Sequence, residues 1–359
     1  MWASKIMFVG ELQNWLPNLG GSNSCIFQIK GGCLAPHYNS DMSQTQKNQF
    51  KFIDLFAGIG GLRIPFGSKF QGSAGGKCVF TSEKDKFAAA TYSENFEKIE
   101  PVDITSIKPA DIEDFDLLLA GFPCQPFSHA GKKLGFEDLR GTLFFNIASI
   151  IKEKRPKVVL LENVRGLLSH DAGRTFARIL EVLEAELGYT VFYKVLNAKD
   201  FGLPQNRSRV FVVAFRDEVV DFQFPEPTGL LTNVGQILVP RANRNGKYTL
   251  SDQLWQSHQR RKASHMAKGN GFGYSLFDSK SPYTSTISAR YYKDGSEILI
   301  KQIGKNPRKL TPREAANLQG FPEDFVIPVS DTQAYKQFGN AVAVPVVLAL
   351  SKKIIPYLS

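Results

Sequence analysis

The chain has 359 residues, of which 43% are hydrophobic and 22% are charged. This length and composition suit one large α/β domain with a smaller second one, and they argue against a largely disordered chain. We expect no apolar run of the roughly 18 residues that a membrane-spanning helix needs, which argues against an integral membrane protein. The formal net charge of +10 suits a polyanionic partner, although a basic surface alone is weak evidence for one.

The excess positive charge is concentrated in one segment. From Arg241 to Arg313 there are 15 Lys and Arg residues against four acids, a net charge of +11, so the rest of the chain is close to neutral. Such a segment is either a solvated basic face or a surface for a polyanion. A near-neutral body with a basic segment attached is therefore expected.

The four cysteines do not form a metal or disulfide pattern. Cys25, Cys33, Cys78 and Cys124 show neither a CxxC pair nor a spacing typical of His-Cys zinc ligands. We expect no metal site and no disulfide framework. No good signal peptide is present, so a reducing cytoplasm is the expected location.

Residues 1–49 are rich in Gly, Asn, Ser and Gln and show little periodicity. We expect either a mobile extension or an over-long start, with Met42 as the real beginning.

From Phe50 onward, strand and helix patterns alternate. The predicted strands are KFIDLF, KCVFTSE, a short one before Asp103, DLLLAGF, KVVLLEN, YTVFYKVLNA and RVFVVAFR. The predicted helices are DKFAAATYSENF, GTLFFNIASIIKEK and TFARILEVLEAELG. This order predicts an α/β, Rossmann-like domain with a mostly parallel sheet covered by helices.

The pattern changes near Asp221, where a Pro-rich stretch begins. Residues 226–311 are basic and polar with short β-like runs, YTSTISARYY and SEILIKQI, and predict a smaller, irregular, β-rich domain. We expect a hinge over residues 312–328. Residues 329–359 are expected to form a C-terminal helix that packs back on the domain of residues 50–225, which is then discontinuous.

A glycine-rich turn follows the first strand. In FAGIGG, Gly58 and Gly60 let the backbone turn tightly and approach a ligand. The spacing is not GxGxxG, which argues against NAD. Glu83 at the end of the next strand is placed to bind ribose hydroxyls, and Asp103 to bind an adenine amino group. Ordinary turn chemistry is the alternative, but this combination favours a nucleoside cofactor.

Further candidate residues lie at the ends of later strands. Cys124 in GFPCQPFS and Glu162 in LLENVRG each follow a strand, and the carboxyl ends of parallel strands share one edge of a sheet. Cys124 is a candidate nucleophile and Glu162 a candidate acid, against the alternatives of a small buried Cys and a solvated carboxylate. Arg207 and Arg209 point to one face if their strand is extended, unless both are solvated. No His-Asp pair adjoins Cys124, which argues against a thiol hydrolase.

Six motifs occur in the order typical of the DNA (cytosine-5)-methyltransferases: FIDLFAGIGGLR, GFPCQPFSHAGKKLGFEDLRGTLFF, LLENVRGLL, GLPQNRSRVFVVAF, RKLTPREAANLQGFP and AYKQFGNAV. The chain resembles that family from about Phe50 to Leu358. The resemblance implies a Rossmann-like methyltransferase domain that uses S-adenosylmethionine and releases S-adenosylhomocysteine. It also implies methyl transfer to carbon 5 of a flipped-out cytosine in duplex DNA.

The catalytic residues implied by the resemblance are Pro123, Cys124, Glu162, Asn163, Arg207 and Arg209. Cys124 would add to carbon 6 of cytosine, and Glu162 would hold or donate a proton at ring nitrogen 3. The Arg207 and Arg209 pair would support the pocket, with one of them contacting the base carbonyl.

The resemblance also implies two sets of binding residues. The cofactor set is Phe56, Gly58, Gly60, Glu83, Lys84, Asp103, Ile104, Leu143, Asn340 and Val342. Lys84 stands where relatives often carry an aromatic beside the adenine, so stacking is lost there. The DNA set is Gln125, Ser128, Thr286, Arg290, Lys293, Asp294 and Glu297. Its last four members are candidates for base-edge contacts, because Arg pairs with guanine and acids pair with cytosine.

GNGFGYSLF and ISARYYKDGSEILI resemble the recognition domains of bacterial enzymes that read CCWGG or CCNGG. The sequence predicts a modification methylase, either solitary or paired by function with a restriction endonuclease. We expect a monomer at the nucleoid of a bacterial cytoplasm, without a membrane partner. A tRNA cytosine-5 methyltransferase and a non-catalytic DNA-binding protein on a methylase scaffold are the alternatives. The basic segment favours duplex DNA, and the intact motifs favour catalysis.

Overall fold

The protein is described by a computed structural model over residues 49–123, 143–218, 221–240, 246–271 and 273–358. The predicted N-terminal extension lies almost wholly outside these ranges.

A six-stranded sheet forms the centre of the described chain. Its strands are β1 (Lys51–Leu55), β2 (Lys77–Ser82), β3 (Leu117–Gly121), β4 (Val158–Val164), β5 (Thr190–Asn197) and β6 (Ser208–Phe215). The order across the sheet is β2-β1-β3-β4-β6-β5, with parallel pairing from β2 to β4. Only β6 is reversed, since it runs antiparallel to both β4 and β5. The prediction of a mostly parallel sheet is confirmed, and β6 begins at the edge where the parallel strands end.

Helices cover both faces of this sheet. These are α2 (Leu143–Lys154), α3 (Arg174–Glu181) and, near the C-terminus, α7 (Val344–Ile354), while α1 (Lys86–Asn95) follows β2. Alternate residues of a strand point to opposite faces. Accordingly, the β1 residue Ile53 packs in an apolar cluster with α2 and α3, whereas its neighbour Phe52 packs in a second cluster with α7. The C-terminal segment therefore packs on the sheet, while the exact domain boundaries stay predictions.

The prediction of a short strand before Asp103 is wrong, since the structure shows none at these residues. Val102 donates a backbone hydrogen bond to the carbonyl of Glu83 (2.8 Å), and Asp103 then caps a short 3-10 turn, Ile104–Ser106. The Asp103 carboxylate accepts from the backbone N–H of Thr105 (3.0 Å). Such local side-chain bonds offer the backbone an alternative to strand pairing.

The basic segment contains a helix that the sequence analysis missed. This 16-residue helix, α4 (Asp252–Ala267), buries only His258 completely, so its apolar periodicity is weak. The strand expected at SEILIKQI is confirmed as β8 (Leu299–Gln302), which lies between β7 (Leu276–Phe277) and β9 (Lys305–Arg308). The run YTSTISARYY forms turns and a single bridge rather than the expected strand.

A third apolar cluster joins the basic segment to the main body. It contains Ile287 and Ile298 of the basic segment together with residues of α5 (Pro312–Leu318) and α6 (Asp331–Asn340). The region predicted as a hinge thus includes a buried helix, α5.

One stretch, Asp331–Tyr357, is long and apolar enough by length and mean hydropathy to cross a membrane, although its longest uninterrupted apolar run is shorter than 18 residues. Of its most apolar 18-residue window, 56% is buried inside the protein. The helical backbone is also interrupted, because Ala341 is extended between α6 and α7. Packing in the core accounts for this composition.

A buried ion pair joins β9 to α5. The carboxylate of Glu314 is fully buried and accepts hydrogen bonds from Arg308 Nη1 (2.6 Å) and Nη2 (2.8 Å). It also accepts from the backbone N–H groups of Thr311 (2.9 Å) and Val239 (3.1 Å). These contacts tie together the end of the basic segment, α5 and the loop that contains Val239.

We predict that Glu314→Ala lowers the free energy of unfolding by about 3–5 kcal/mol, because it leaves the Arg308 charge buried without a partner. The matched control is Glu113→Ala, whose ion pair with Lys51 is about half exposed at 43% and 52%. That control should cost far less, because solvent screens an exposed ion pair. Urea denaturation measures both, and equal losses would contradict the prediction.

Candidate cofactor and catalytic cleft

A cleft of about 420 Å³ lies at the edge of the sheet where the parallel strands end. It is formed by the turn after β1, the residues after β2, the ends of β3 and β4, the start of β6, and the region around the end of α6. The predicted site residues that line it are Phe56, Gly58, Glu83, Lys84, Pro123, Glu162, Asn163, Arg209, Asn340 and Val342. One cleft therefore unites most of the predicted cofactor set with part of the predicted catalytic set.

The glycine-rich turn leaves room for a ligand beside its backbone. Gly58 and Gly60 have positive φ values of 57° and 83°, which favour glycine. A Cβ atom on Gly60 would lie 2.2 Å from the ring of Phe96, so this glycine is required by packing. A Cβ atom on Gly58 would meet nothing nearer than the Phe56 carbonyl oxygen at 4.0 Å. The open side of Gly58 faces the cleft and fits the close approach of a cofactor.

Glu83 holds the turn in place and remains able to bind hydroxyl groups. Its Oε2 accepts from the N–H of Gly58 (2.8 Å), and its Oε1 accepts from the N–H of Asp85 (2.7 Å). A carboxylate has about four acceptor positions, so both oxygens can accept further hydrogen bonds. The turn and this carboxylate together fit the ribose of a nucleoside.

Other predicted cofactor residues lie at or beyond the margin of the cleft. Lys84 Nζ lies 3.7 Å from the carboxylate of Asp103, which does not line the cleft. Hydrogen bonds from Thr105, aided by Lys84 and opposed by burial, lower the pKa of Asp103. Ile104 is buried in the apolar cluster with α2, and Leu143 packs against it. The contacts of Asp103, Ile104 and Leu143 with a cofactor stay predictions.

Glu162 and Arg209 form an ion pair inside the cleft. Arg209 on the reversed strand β6 lies opposite Val164, two residues beyond Glu162 on β4, so both side chains share one face. Arg209 Nε lies 3.1 Å from Glu162 Oε1, and their side chains are only 16% and 13% exposed. Burial raises the pKa of Glu162, and the charges of Arg209 and Arg207 oppose that rise. The pair can hold a proton at the carboxyl and present a guanidinium beside it.

Arg207 has a different place from Arg209. Its side chain is 2% exposed and does not line the cleft. It donates to the carbonyl oxygens of Ile287 (3.0 Å), Gly339 (3.0 Å) and Ala341 (2.7 Å). Burial, with the nearby charge of Arg209, lowers the pKa of Arg207. Arg207 therefore supports the site by joining the basic segment to the end of α6.

Asn163 supports the segment that leads to Cys124. Its Nδ2 donates to the carbonyl of Phe122 (2.8 Å), directly before the cleft-lining Pro123. Cys124 itself, with Gln125 and Ser128, lies outside the described residues.

The remaining predicted DNA-contacting residues lie in the basic segment and do not line the cleft. Thr286 Oγ1 donates to the carbonyl of Asn206 (2.6 Å), next to Arg207. Arg290 and Lys293 are exposed, whereas Asp294 and Glu297 are partly buried. Their contacts with DNA stay predictions.

Sequence reasoning missed several polar residues that line the cleft, namely Asp85, Lys336 and Gln337. Lys336 Nζ lies 2.7 Å from the carboxylate of Asp85, joining α6 to the start of α1. Gln337 accepts from Thr91 Oγ1 (3.0 Å) and donates to the carbonyl of Phe87 (2.9 Å). A helical pattern before Asn340 was the available signal, since residues three and four positions earlier lie on the same helix face.

The sheet is Rossmann-like, and one cleft at its edge contains both a site for a nucleoside and the buried pair of Glu162 and Arg209. This combination defines an enzyme that acts with a nucleoside cofactor. Residues 50–356 match the C-5 cytosine-specific DNA methylases, and the chain belongs to this family. Its cofactor is S-adenosylmethionine, and its substrate is cytosine in DNA.

Several relatives are similar over most of the chain. The type II methyltransferase M.SsoII of Shigella sonnei is 59% identical over 86% of this chain and 81% of its own length. M.NlaX of Neisseria lactamica is 58% identical over 85% of this chain and 96% of its own length. M.HpaII of Haemophilus parainfluenzae is 43% identical over 89% and 92% of the two chains.

Solved structures agree on the fold. The methyltransferase EhMeth of Entamoeba histolytica has a TM-score of 0.69 at 21% identity, covering 87% of this chain and all of its own. The Dnmt2 methyltransferase of S. pombe has a TM-score of 0.68 at 21% identity, covering 86% and 99%. The predicted Rossmann-like methyltransferase fold is confirmed.

We predict that Glu83→Ala weakens binding of S-adenosylmethionine by about 10–100-fold, the value of one or two hydrogen bonds to a charged group. The variant also leaves the N–H groups of Gly58 and Asp85 without their hydrogen-bond acceptor. Titration calorimetry gives the dissociation constant. Glu94→Ala, an exposed position on α1 outside the cleft, is the control and should bind normally. Unchanged binding by Glu83→Ala would remove this carboxylate from the cofactor site.

Proposed function

We propose that this protein is a type II modification methylase that methylates one cytosine within a short duplex sequence, with Cys124 as its nucleophile. The cleft carries this proposal, because it places the open glycine turn and Glu83 in the same cavity as Pro123, Glu162 and Arg209. The similarity to the type II methyltransferases M.SsoII and M.NlaX supports a role beside a restriction endonuclease. That nuclease is a partner by function and not by contact.

The covalent chemistry requires a thiolate that can reach a flipped base. The thiolate of Cys124 forms a bond to carbon 6 of cytosine, and the electrons of the 5,6 double bond make carbon 5 nucleophilic. S-adenosylmethionine supplies the methyl group that carbon 5 takes. Water then accepts the carbon 5 proton, and the returning double bond expels the thiolate. Pro123 lines the cleft directly before Cys124 in the sequence, which supports this assignment.

Another described cysteine does not suit this role. Burial raises the pKa of the Cys78 thiol to about 11, and Cys78 lies on β2 and does not line the cleft. A thiol is a nucleophile only as the thiolate, which such a pKa disfavours at neutral pH.

Glu162 is the proposed proton donor to ring nitrogen 3. Addition at carbon 6 places negative charge on the ring, and a protonated carboxyl stabilises it by donating a hydrogen bond. Burial of Glu162 favours that protonated form. Arg209 beside it is the proposed contact of the base carbonyl, and Arg207 holds the surrounding backbone.

The basic segment is the proposed DNA-recognition domain. Residues 226–311 would hold the duplex, and the domain of residues 50–225 and 329–359 would perform the transfer, with residues 312–328 between them. The net charge of +11 from Arg241 to Arg313 favours binding to phosphates. We propose a monomer that acts at the nucleoid of a bacterial cytoplasm, on a target of the CCWGG or CCNGG class.

Bisulfite sequencing of plasmid from an expressing host tests the function. We expect one short sequence context to be methylated at one cytosine. Cys124→Ser should abolish methylation while DNA binding persists, because only the nucleophile is lost. Cys78→Ser is the matched control and should keep methylation. Methylation of tRNA alone, or DNA binding without methylation by the unmodified protein, would contradict the proposal.

The pH dependence tests the role of Glu162. Burial raises its pKa and Arg209 lowers it. If the protonated carboxyl is the active form, kcat/KM falls as the pH rises through this pKa. Arg209→Met removes the charge that favours the carboxylate, so the pKa should rise further and the fall should move to higher pH, at a lower overall rate.

The control for that measurement is Arg216→Met. Arg216 pairs with Asp217 just beyond β6 and lies outside the cleft, so its variant should keep the original profile. A fall that stays in place or moves to lower pH in Arg209→Met would remove the protonated carboxyl from the mechanism.

A further inference from the structure

The turn that contains the candidate base-reading residues is built around a buried tyrosine. We call residues 288–297 the recognition turn. Tyr291 within it is fully buried, and its hydroxyl donates to the carbonyl of Ile298 (2.7 Å) and accepts from the N–H of Leu310 (2.7 Å). On either side of this anchor, Arg290 and Lys293 are exposed. The centre of the turn is therefore fixed while its cations face outward.

A carboxylate closes the two ends of the recognition turn. Glu297 Oε1 accepts from Ser288 Oγ (2.8 Å) and from Ser288 N–H (3.4 Å). Ser288 Oγ also accepts from the N–H of Arg290 (3.1 Å). Glu297 thereby controls the backbone from which Arg290 projects.

A second carboxylate ties the turn to helix α4. Asp294 Oδ2 accepts from Arg261 Nη1 (3.0 Å), and Asp294 Oδ1 accepts from the N–H of Ser296 (3.1 Å). The other arm of Arg261 donates to Nδ1 of His258 (3.0 Å), which is 2% exposed. Arginine has no acceptor, so His258 accepts this bond and is uncharged at Nδ1. Arg261 is thus held between a buried histidine and the turn.

These contacts give the acids of the recognition turn a different role from its cations. A carboxylate that reads cytosine must accept from the exocyclic amino group in the major groove. The side chain of Asp294 is only 33% exposed, and hydrogen bonds from Arg261 and Ser296 fix the direction of its carboxylate. In the part of the chain that the structure describes, no side-chain hydrogen bond or ion pair occupies Arg290 or Lys293. The cations are free to reach guanine, and the acids shape the turn.

We infer that Arg261 is a positioning residue for sequence specificity: through Asp294 it fixes the recognition turn so that Arg290 and Lys293 reach base edges. The inference rests on the proposed sequence-specific DNA binding. It reassigns Asp294 and Glu297 from base contacts to support of the turn, and it gives α4 a role in target choice.

The test measures binding selectivity rather than methylation. The preferred duplex is first selected from a random library with the unmodified protein. Fluorescence anisotropy then gives the dissociation constants for this duplex and for each single base-pair variant of it. We expect Arg261→Ala and Asp294→Ala to lower selectivity about tenfold at the same base pairs, within the range that one base contact supplies. The double variant should be no worse than Asp294→Ala alone, because that substitution already removes the ion pair between Arg261 and Asp294.

The exchanged pair, Arg261→Asp with Asp294→Arg, makes the inference falsifiable. If the ion pair positions the turn, the exchange should restore selectivity to within about threefold, since the same two charges meet in reverse order. If Asp294 reads a base itself, Asp294→Ala lowers selectivity at one base pair and Arg261→Ala leaves selectivity unchanged. The exchanged pair then does not restore selectivity. That result would overturn the inference.

Arg260→Ala is the matched control, because it removes the same charge from the adjacent, exposed position of α4. It should weaken binding to all sequences equally, as loss of a phosphate contact does. A change of selectivity in this control as large as that in Arg261→Ala would overturn the inference. Binding of S-adenosylmethionine shows that each variant is folded. An unmodified protein that selects a sequence but never methylates it would contradict the proposed function, and the same binding profiles would still decide this inference.

Discussion

The buried guanidinium of Arg207 is the interaction on which the arrangement of the site depends. Its three carbonyl acceptors come from the basic segment and from the end of α6, so one side chain joins parts of the chain that lie about 80 and 130 residues away. A buried charge is costly unless it is fully hydrogen-bonded, and these carbonyls meet most of that requirement. Gln205, two residues earlier, accepts from the N–H of Ile287 (3.1 Å) and donates to Gln319 (2.9 Å). The basic segment is thus attached directly before β6, the strand that carries Arg209.

The reversed direction of β6 explains why this attachment lies close to Glu162 and Arg209. Because β6 is antiparallel to β4, its first residues lie at the edge where β4 ends. Arg209 on this strand reaches Glu162, while Arg207, which lies just before β6 begins, contacts the backbone of the basic segment. Gly339 fits the same junction, since a Cβ atom there would lie 2.3 Å from the Ser288 backbone. The recognition turn therefore packs directly against the segment that lines the cofactor cleft.

Sequence alone predicted the parts of the molecule that depend on local pattern. The glycine turn, Glu83 and Glu162 could be located because a strand end is visible as an apolar run followed by polar or glycine residues. The reversal of β6 could not, since the apolar alternation of RVFVVAFR is the same in either direction. Helix α4 was missed because it buries one residue completely, and the support role of Asp294 depends on Arg261, 33 residues away. Contacts of that range leave no periodic signal.

The acids and the cations of the basic segment have different roles. All four acids between Arg241 and Arg313 accept hydrogen bonds inside the protein. Asp252 accepts from Asn306 (2.6 Å) and Asp278 from Lys301 (3.2 Å), in addition to the contacts of Asp294 and Glu297. The acids therefore set the shape of the segment, and they neutralise only the few cations that they touch. The remaining cations leave an excess that a duplex can neutralise by displacing its own counterions. In the proposed DNA-recognition domain, affinity and shape would thus be assigned to opposite charges within one segment.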